Sequence, residues 1–246
     1  MKGYMKRLEA SDLLQIWERG IGTAPSMALL PLLLAAFPEI TPEQLPNLTI
    51  GARDSLLLTQ REWLFGSRLE GVVSCPNCGE KLEFSLLVDE LRADSGEGLD
   101  LNPRAPIFVK AAGVMVEVQI PTIDDAAKVA SLEELLERCV RKVSKSGEDL
   151  TTAELSQGVI DAISRKIVKA DPQADIRLSM ECPACEHRWM ATFDIVTYLW
   201  SEIHSWAQRM LFEVHQLASA YGWSEQEILA LSPTRRQTYL SMIGEY

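Results

Sequence analysis

The sequence predicts an α+β fold: helical N- and C-terminal regions around a split ribbon of two cysteine knuckles, with a mixed α/β insert between the knuckles. Three observations predict it. Residues 1–70 and 196–246 place apolar side chains at helical spacing. Two C-x-x-C turns, Cys75-Pro76-Asn77-Cys78 and Cys182-Pro183-Ala184-Cys185, are each flanked by short alternating stretches. The segment between the turns mixes both patterns. The chain therefore divides into 1–70, a helical region; 71–91, a first knuckle and strand; 92–175, the insert; 176–195, a second knuckle and strands; and 196–246, a second helical region.

The helical region starts near Ser11 or Asp12, where Leu13, Leu14, Ile16 and Trp17 fall on one side of a short helix. Met27–Phe37 is an apolar run that predicts a second helix, ended by Pro38. Thr41-Pro42-Glu43 is a helix-start signal, a capping residue followed by proline. Leu56, Leu57, Gln60, Trp63 and Leu64 predict a helix over 53–65, with Gly66 as its stop. Lys81–Leu86 alternates and predicts a strand beyond the first cysteine pair. Residues 92–106 are rich in Gly, Asp and Pro and predict a mobile loop. Ile107–Lys110 and Val114–Ile120 predict paired strands across Ala111-Ala112-Gly113. Ser131 with Glu134 forms a capping-box signal ahead of Leu135, Leu136, Cys139 and Val140, and Lys145–Asp149 is a polar break. Leu155, Val159, Ile163 and Ile167 mark the buried face of another helix, closed by Pro172. Ile176–Met180 and Trp189–Ile195 predict strands entering and leaving the second pair. A long helix follows, with Leu199, Ile203, Trp206, Met210, Val214, Leu217 and Tyr221 as its stripe. Ser224 with Glu227 caps a further helix, and Ser232-Pro233 starts the last.

One internal repeat is present. A shift of 107 residues lays Cys75-Pro76-Asn77-Cys78 on Cys182-Pro183-Ala184-Cys185 without a gap. Lys81 then falls on Arg188, Leu82 on Trp189, Ser85 on Thr192, Leu86 on Phe193 and Val88 on Ile195. Two knuckles with matching exit strands are what the two halves of a zinc ribbon look like.

Composition bounds the function. Of 246 residues, 47% are hydrophobic and 24% charged, an ordinary globular balance. The net charge of −11 repels phosphate backbones and disfavours nucleic-acid binding by the surface as a whole. The basic start, Met1–Arg7, lacks a following signal-type apolar core, and the run Met27–Phe37 is too short to span a bilayer. These features predict a chain made and folded in the cytoplasm, with no membrane partner. Four of the five cysteines sit in the two pairs, which in a reducing compartment favours metal over disulfides.

Zinc takes four soft or borderline ligands in a tetrahedron, and each C-x-x-C turn offers two thiolates on one side of the ion. Cys75, Cys78, Cys182 and Cys185 are thus the candidate ligands of one structural zinc per chain. Gly79 can take a positive φ that turns backbone N–H groups toward sulfur, whereas the second pair has Glu186 at that place, a departure that makes its turn less ideal. Closing the 103 residues between the pairs costs roughly 4 kcal/mol, against apparent zinc-binding energies of about 10–16 kcal/mol in finger peptides. Two separate redox C-x-x-C motifs are the alternative, but neither pair follows a thioredoxin-like strand–helix pattern. A catalytic zinc needs an open position that four thiolates leave unavailable. His187 could replace a ligand, although a surface or supporting place suits it better; Cys139 lies on a helical face and reads as core.

No phosphate-binding loop, nucleophile elbow or H-E-x-x-H helix is present, which predicts a protein that is not an enzyme. His204 and His215 lie about three turns apart on the long helix, where packing or solvent exposure accounts for them better than hydrolysis does. Asp124-Asp125 and Glu133-Glu134 sit at helix starts, where the helix dipole favours them.

The C-terminal run carries a resemblance. Glu213-Val214-His215-Gln216-Leu217, then Tyr221-Gly222-Trp223-Ser224-Glu225-Gln226-Glu227-Ile228-Leu229-Ala230-Leu231, then Arg235-Arg236-Gln237-Thr238-Tyr239-Leu240, resembles the baseplate hub assembly chaperone family of contractile-tailed phages. Related proteins occur in gene clusters for extracellular contractile injection systems. Gly51-Ala52-Arg53-Asp54, Arg61-Glu62-Trp63-Leu64-Phe65-Gly66 and Cys75-Pro76-Asn77-Cys78-Gly79 fit longer members. The resemblance implies a non-catalytic structural or assembly protein whose partners are other baseplate, hub or spike subunits. On such a protein Arg235, Arg236, Trp223 and Tyr239 are candidate partner contacts, with a solvated helix face as the competing reading for the arginines. The alternative from another class is a zinc-ribbon nucleic-acid-binding module, with Lys81, His187, Arg188 and Trp189 lining one face.

Overall fold

The computed structural model describes residues 6–93, 106–145 and 148–243. In chain order these form α1 (Ala10–Gly20), α2 (Pro25–Ala28), α3 (Leu30–Ala36), α4 (Ile50–Phe65), β1 (Arg68–Ser74), β2 (Lys81–Leu87), α5 (Val88–Leu91), β3 (Ile107–Ala111) and β4 (Val114–Val118). There follow α6 (Ile123–Ala127), α7 (Leu132–Cys139), β5 (Val140–Lys145), β6 (Glu148–Asp149), α8 (Gln157–Ala170), β7 (Arg177–Glu181), β8 (Arg188–Thr192), α9 (Ile195–Tyr221), α10 (Glu225–Leu229) and α11 (Pro233–Ile243). The fold is α+β, with helices and small antiparallel sheets. The described residues fall into two units, one within Ile40–Ile195, the other within Tyr4–Glu39 and Val196–Tyr246.

The first unit holds all the strands. β1 and β2 form one antiparallel hairpin, β7 and β8 another, and β3-β4-β5-β6 a four-stranded meander. In the hairpins Ser74 pairs with Lys81 and Glu181 with Arg188, so the repeat read from the sequence is also a repeat of register. Their packing inverts one pair. Gly71 faces Phe84, whose ring occupies the space a Cβ would need; the corresponding pair is Leu178 facing Ala191. Small against large fills both hairpins, with the large residue on opposite strands.

The insert has a core of its own. Val109, Val114, Val116, Val118 and Val143 from the sheet pack on Cys139, Leu155, Val159 and Ile163. Cys139 is thus a core residue, its thiol pushed up to about 11, chiefly by burial. The β3–β4 turn puts both Ala112 and Gly113 at positive φ, the twist a two-residue hairpin needs. The expected loop over 92–106 has residues 94–105 outside the described set.

Helix α4 is fastened at its start by groups distant in sequence. Thr49 Oγ1 accepts from Ala52 N–H at 3.1 Å, and Asp171, just past α8, accepts from Gly51 N–H at 2.9 Å. Asp171 is 4% exposed. A Cβ at position 51 would lie 2.2 Å from its carboxylate, so only glycine admits this cap. One turn on, the Asp54 carboxyl is raised to about 6, because burial outweighs the Arg53 guanidinium that holds it at 2.7 Å.

The second unit is helical. Gly20 of α1 lets the Trp200 ring and Ala28 approach where a side chain would collide. Val214 and Leu217 of α9 form a core with Ile228, against which Trp223, Tyr239, Leu240 and Ile243 pack. Ser224 and Glu227 cap α10 reciprocally.

Several expected boundaries move. The run Met27–Phe37 is two helices, because Pro31 lacks the N–H a continuous helix would use and instead opens α3. Thr41-Pro42-Glu43 opens only a turn and a 3-10 segment, Leu45–Asn47. Val140 leaves α7 and begins β5, where it pairs with Val118. Ile195 starts α9 instead of ending a strand. Trp63 is 63% exposed, whereas Gln60 and Arg61 on the same helix are buried.

Gly51→Ala should lower stability by about 2–3 kcal/mol, since it displaces a buried charged cap. Urea denaturation of the variant checks this; unchanged stability would mean that Asp171 does not need the close approach.

Candidate metal centre

Each cysteine pair sits at the tip of its hairpin. Cys75 N–H donates to the Glu80 carbonyl at 2.8 Å, and Gly79 N–H donates back to the Cys75 carbonyl at 2.9 Å. The second tip repeats this pattern: Cys182 N–H to the His187 carbonyl at 2.9 Å, Glu186 N–H to the Cys182 carbonyl at 2.8 Å. The fifth residue of each turn is left-handed, with φ of 78° at Gly79 and 57° at Glu186. Glu186 thus adopts what glycine adopts freely, at a cost of about 1 kcal/mol.

The tips meet. All four Sγ atoms lie within 4.8 Å of one another. Two separations cross between hairpins at hydrogen-bond range: Cys75 to Cys185 at 3.7 Å and Cys78 to Cys182 at 3.6 Å. Disulfide sulfurs are about 2 Å apart, so these are free thiols. Thiolates at about 2.3 Å from a tetrahedral ion would stand about 3.8 Å apart, and the two separations across the hairpins are close to that. Cys75 and Cys182 are buried, Cys185 is half-buried and Cys78 is exposed.

The field at the four sulfurs is uneven. Asn77 Nδ2 donates to Cys185 Sγ at 3.5 Å across the hairpins. That bond first, then the His187 backbone N–H, draws the Cys185 thiol down to about 6. At Cys78 the Glu80 backbone N–H favours ionisation, but desolvation and the sulfurs of Cys185, Cys182 and Cys75 push it up to about 12. Sulfurs this close compete for one negative charge, a conflict that a cation removes. Asn77 was not singled out in the sequence; its signal is the asymmetry between Asn77 and Ala184 at matching places.

His187 stands outside the sulfur group and stacks on Trp189, ring centroids 5.8 Å apart. The four residues proposed for a nucleic-acid face differ in exposure. Strand alternation exposes Lys81 and Arg188 and turns Trp189 inward, and Arg188 is paired with Glu181 at 3.0 Å. His204 Nδ1 accepts from Trp17 Nε1 at 3.0 Å, a packing contact.

The C-terminal candidates separate into surface and support. Arg235 is exposed. Arg236 is 5% exposed; its Nε lies 3.1 Å from Glu213 Oε2, and its Nη1 donates to the Leu231 carbonyl at 2.7 Å. It ties α11 to α9. Trp223 stacks on Tyr221 at 4.7 Å and meets Tyr239 edge-on at 4.9 Å. Tyr221 remains exposed at the edge of this aromatic group.

Two substitutions test these readings by denaturation. Glu186→Gly should stabilise the protein by about 1 kcal/mol, because it relieves the left-handed turn. Arg236→Ala should cost about 2 kcal/mol by removing the ion pair to Glu213 and the bond to the Leu231 carbonyl, although Gln237 still donates to Glu213, whereas Arg235→Ala should stay within about 0.5 kcal/mol of the parent.

Among the described residues, no helix is long and apolar enough to cross a membrane. No curated protein and no solved structure matches the chain. A family model described as T4 bacteriophage base plate protein matches residues 26–200, a span that contains α4 and both cysteine hairpins. The match stops before the run 213–240 on which part of the resemblance rested. It takes in more than two thirds of the sequence, and the chain therefore belongs to the T4 bacteriophage base plate protein family.

Proposed function

We propose that this chain is a non-catalytic structural or assembly protein, chaperone-like in role, of the baseplate hub of a contractile phage tail or contractile injection system. One structural zinc on Cys75, Cys78, Cys182 and Cys185 stabilises it. The observation that carries the metal reading is the sulfur group itself, four thiols within 4.8 Å of one another on two hairpins of matching register. The ion would neutralise the thiolates and link the hairpins as the two halves of a zinc ribbon. Four thiolates leave no position for water, so the metal is structural.

Family membership supports a place among baseplate components. Hub or spike subunits are the partners, met through the surface of α10 and α11, where Arg235 is exposed beside Trp223 and Tyr239. Arg236 supports that surface from beneath. Assembly takes place in the cytoplasm, and the protein then either stays in the particle or leaves it.

Protein purified without chelator should contain about one zinc per chain by mass spectrometry of the metal. Cys182→Ser should remove the metal and lower the melting temperature. Binding displaces the Cys78 proton, so affinity should rise with pH. A pull-down from the native host should recover tail or baseplate subunits. Recovery of nucleic acid or polymerase components instead would refute the assembly reading.

A further inference from the structure

The two hairpin tips are related by the sequence repeat, and that relation exposes one unequal pair of ligands. Cys78 and Cys185 are equivalent under the 107-residue shift. Each takes a backbone N–H hydrogen bond from the residue two places on, Glu80 for Cys78 and His187 for Cys185. Cys185 takes a second bond from the Asn77 side chain of the opposite tip. The position that would serve Cys78 in the same way is Ala184, which has no donor. Cys78 is also exposed, whereas Cys185 is half-buried and Cys75 and Cys182 are buried.

Hydrogen bonds to a thiolate draw on the lone pairs that make it a nucleophile, and burial blocks approach. We infer that Cys78 is the reactive sulfur of the zinc-loaded site, in which all four sulfurs are thiolates: soft alkylating electrophiles modify it first, and the site opens from the first hairpin. With iodoacetamide, a Cys78 sulfur lone pair forms the new bond to the methylene carbon while the carbon–iodine bond breaks and iodide leaves. The sulfur becomes a neutral thioether and its hold on the metal weakens. The inference rests on the zinc reading above.

The test uses the full chain. Zinc is counted first, then the protein is treated with less than one equivalent of iodoacetamide and mapped by peptide mass spectrometry. Cys78 should be labelled about tenfold faster than Cys185, the factor expected of one hydrogen bond to a charged acceptor. Zinc should pass to a chromophoric chelator in step with that label. Ala184→Asn should supply the missing donor and slow labelling of Cys78, and Asn77→Ala should speed labelling of Cys185. A zinc-loaded chain labelled first at another of the four sulfurs, or rates that neither substitution moves, would overturn the inference and leave the zinc reading intact. A chain that contains no zinc overturns both.

Discussion

The meeting of four sulfurs at the tips of two hairpins is the contact on which the rest of the strand-bearing unit depends. It closes a loop of 103 residues, which costs roughly 4 kcal/mol in chain entropy. Weak contacts between two-stranded sheets would struggle to offset that cost, because an isolated hairpin is marginal in water. A tetrahedral ion bound there would give the contact a strength that the area of the hairpins cannot. The insert reduces the burden by folding around its own valine-rich core.

A second long-range tie supports the first. Asp171, which follows α8, caps the start of α4, which precedes the first hairpin. The two ends of the hairpin-and-insert segment are thus joined at a helix terminus as well as at the sulfurs. Gly51 is present because a carboxylate has to reach a backbone N–H there, which gives the Gly51-Ala52-Arg53-Asp54 stretch a physical meaning. The helical unit uses a comparable device, in which buried Arg236 joins α11 to α9 through Glu213. In both units a charged side chain bonded to backbone and partner sets where a helix lies.

The same frame accounts for what a baseplate component needs. Such a protein works by contact, and contacts require surfaces held in fixed positions. The stacked Tyr221 and Trp223, with Tyr239 edge-on to both, and the reciprocal Ser224–Glu227 cap brace the C-terminal helices at little entropic cost. His204 accepts from Trp17, and His187 stacks on Trp189. The family match accounts for a protein that works by contact with other baseplate components.

The sequence by itself determined the local features. It carried the α+β class, the cysteine pairs, the gapless repeat of their hairpins, the apolar face through Val159 and Ile163, and the Ser224 cap, all set by neighbours a few residues apart. The baseplate family was legible in short motifs. Tertiary structure decided the rest. Whether Val140 extends a helix or starts a strand depends on Val118, a partner 22 positions away. Trp63 looked like core by spacing, yet faces solvent while Gln60 and Arg61 are buried, because burial is set by what packs on the helix and not by hydropathy alone. Adjacent Arg235 and Arg236 were one motif in the sequence; consecutive helix positions point about 100° apart, so one reaches Glu213 and the other reaches water. The unequal bonding of Cys78 and Cys185 likewise exists only once the tips face each other, since Asn77 finds its sulfur across a gap that no sequence spacing measures.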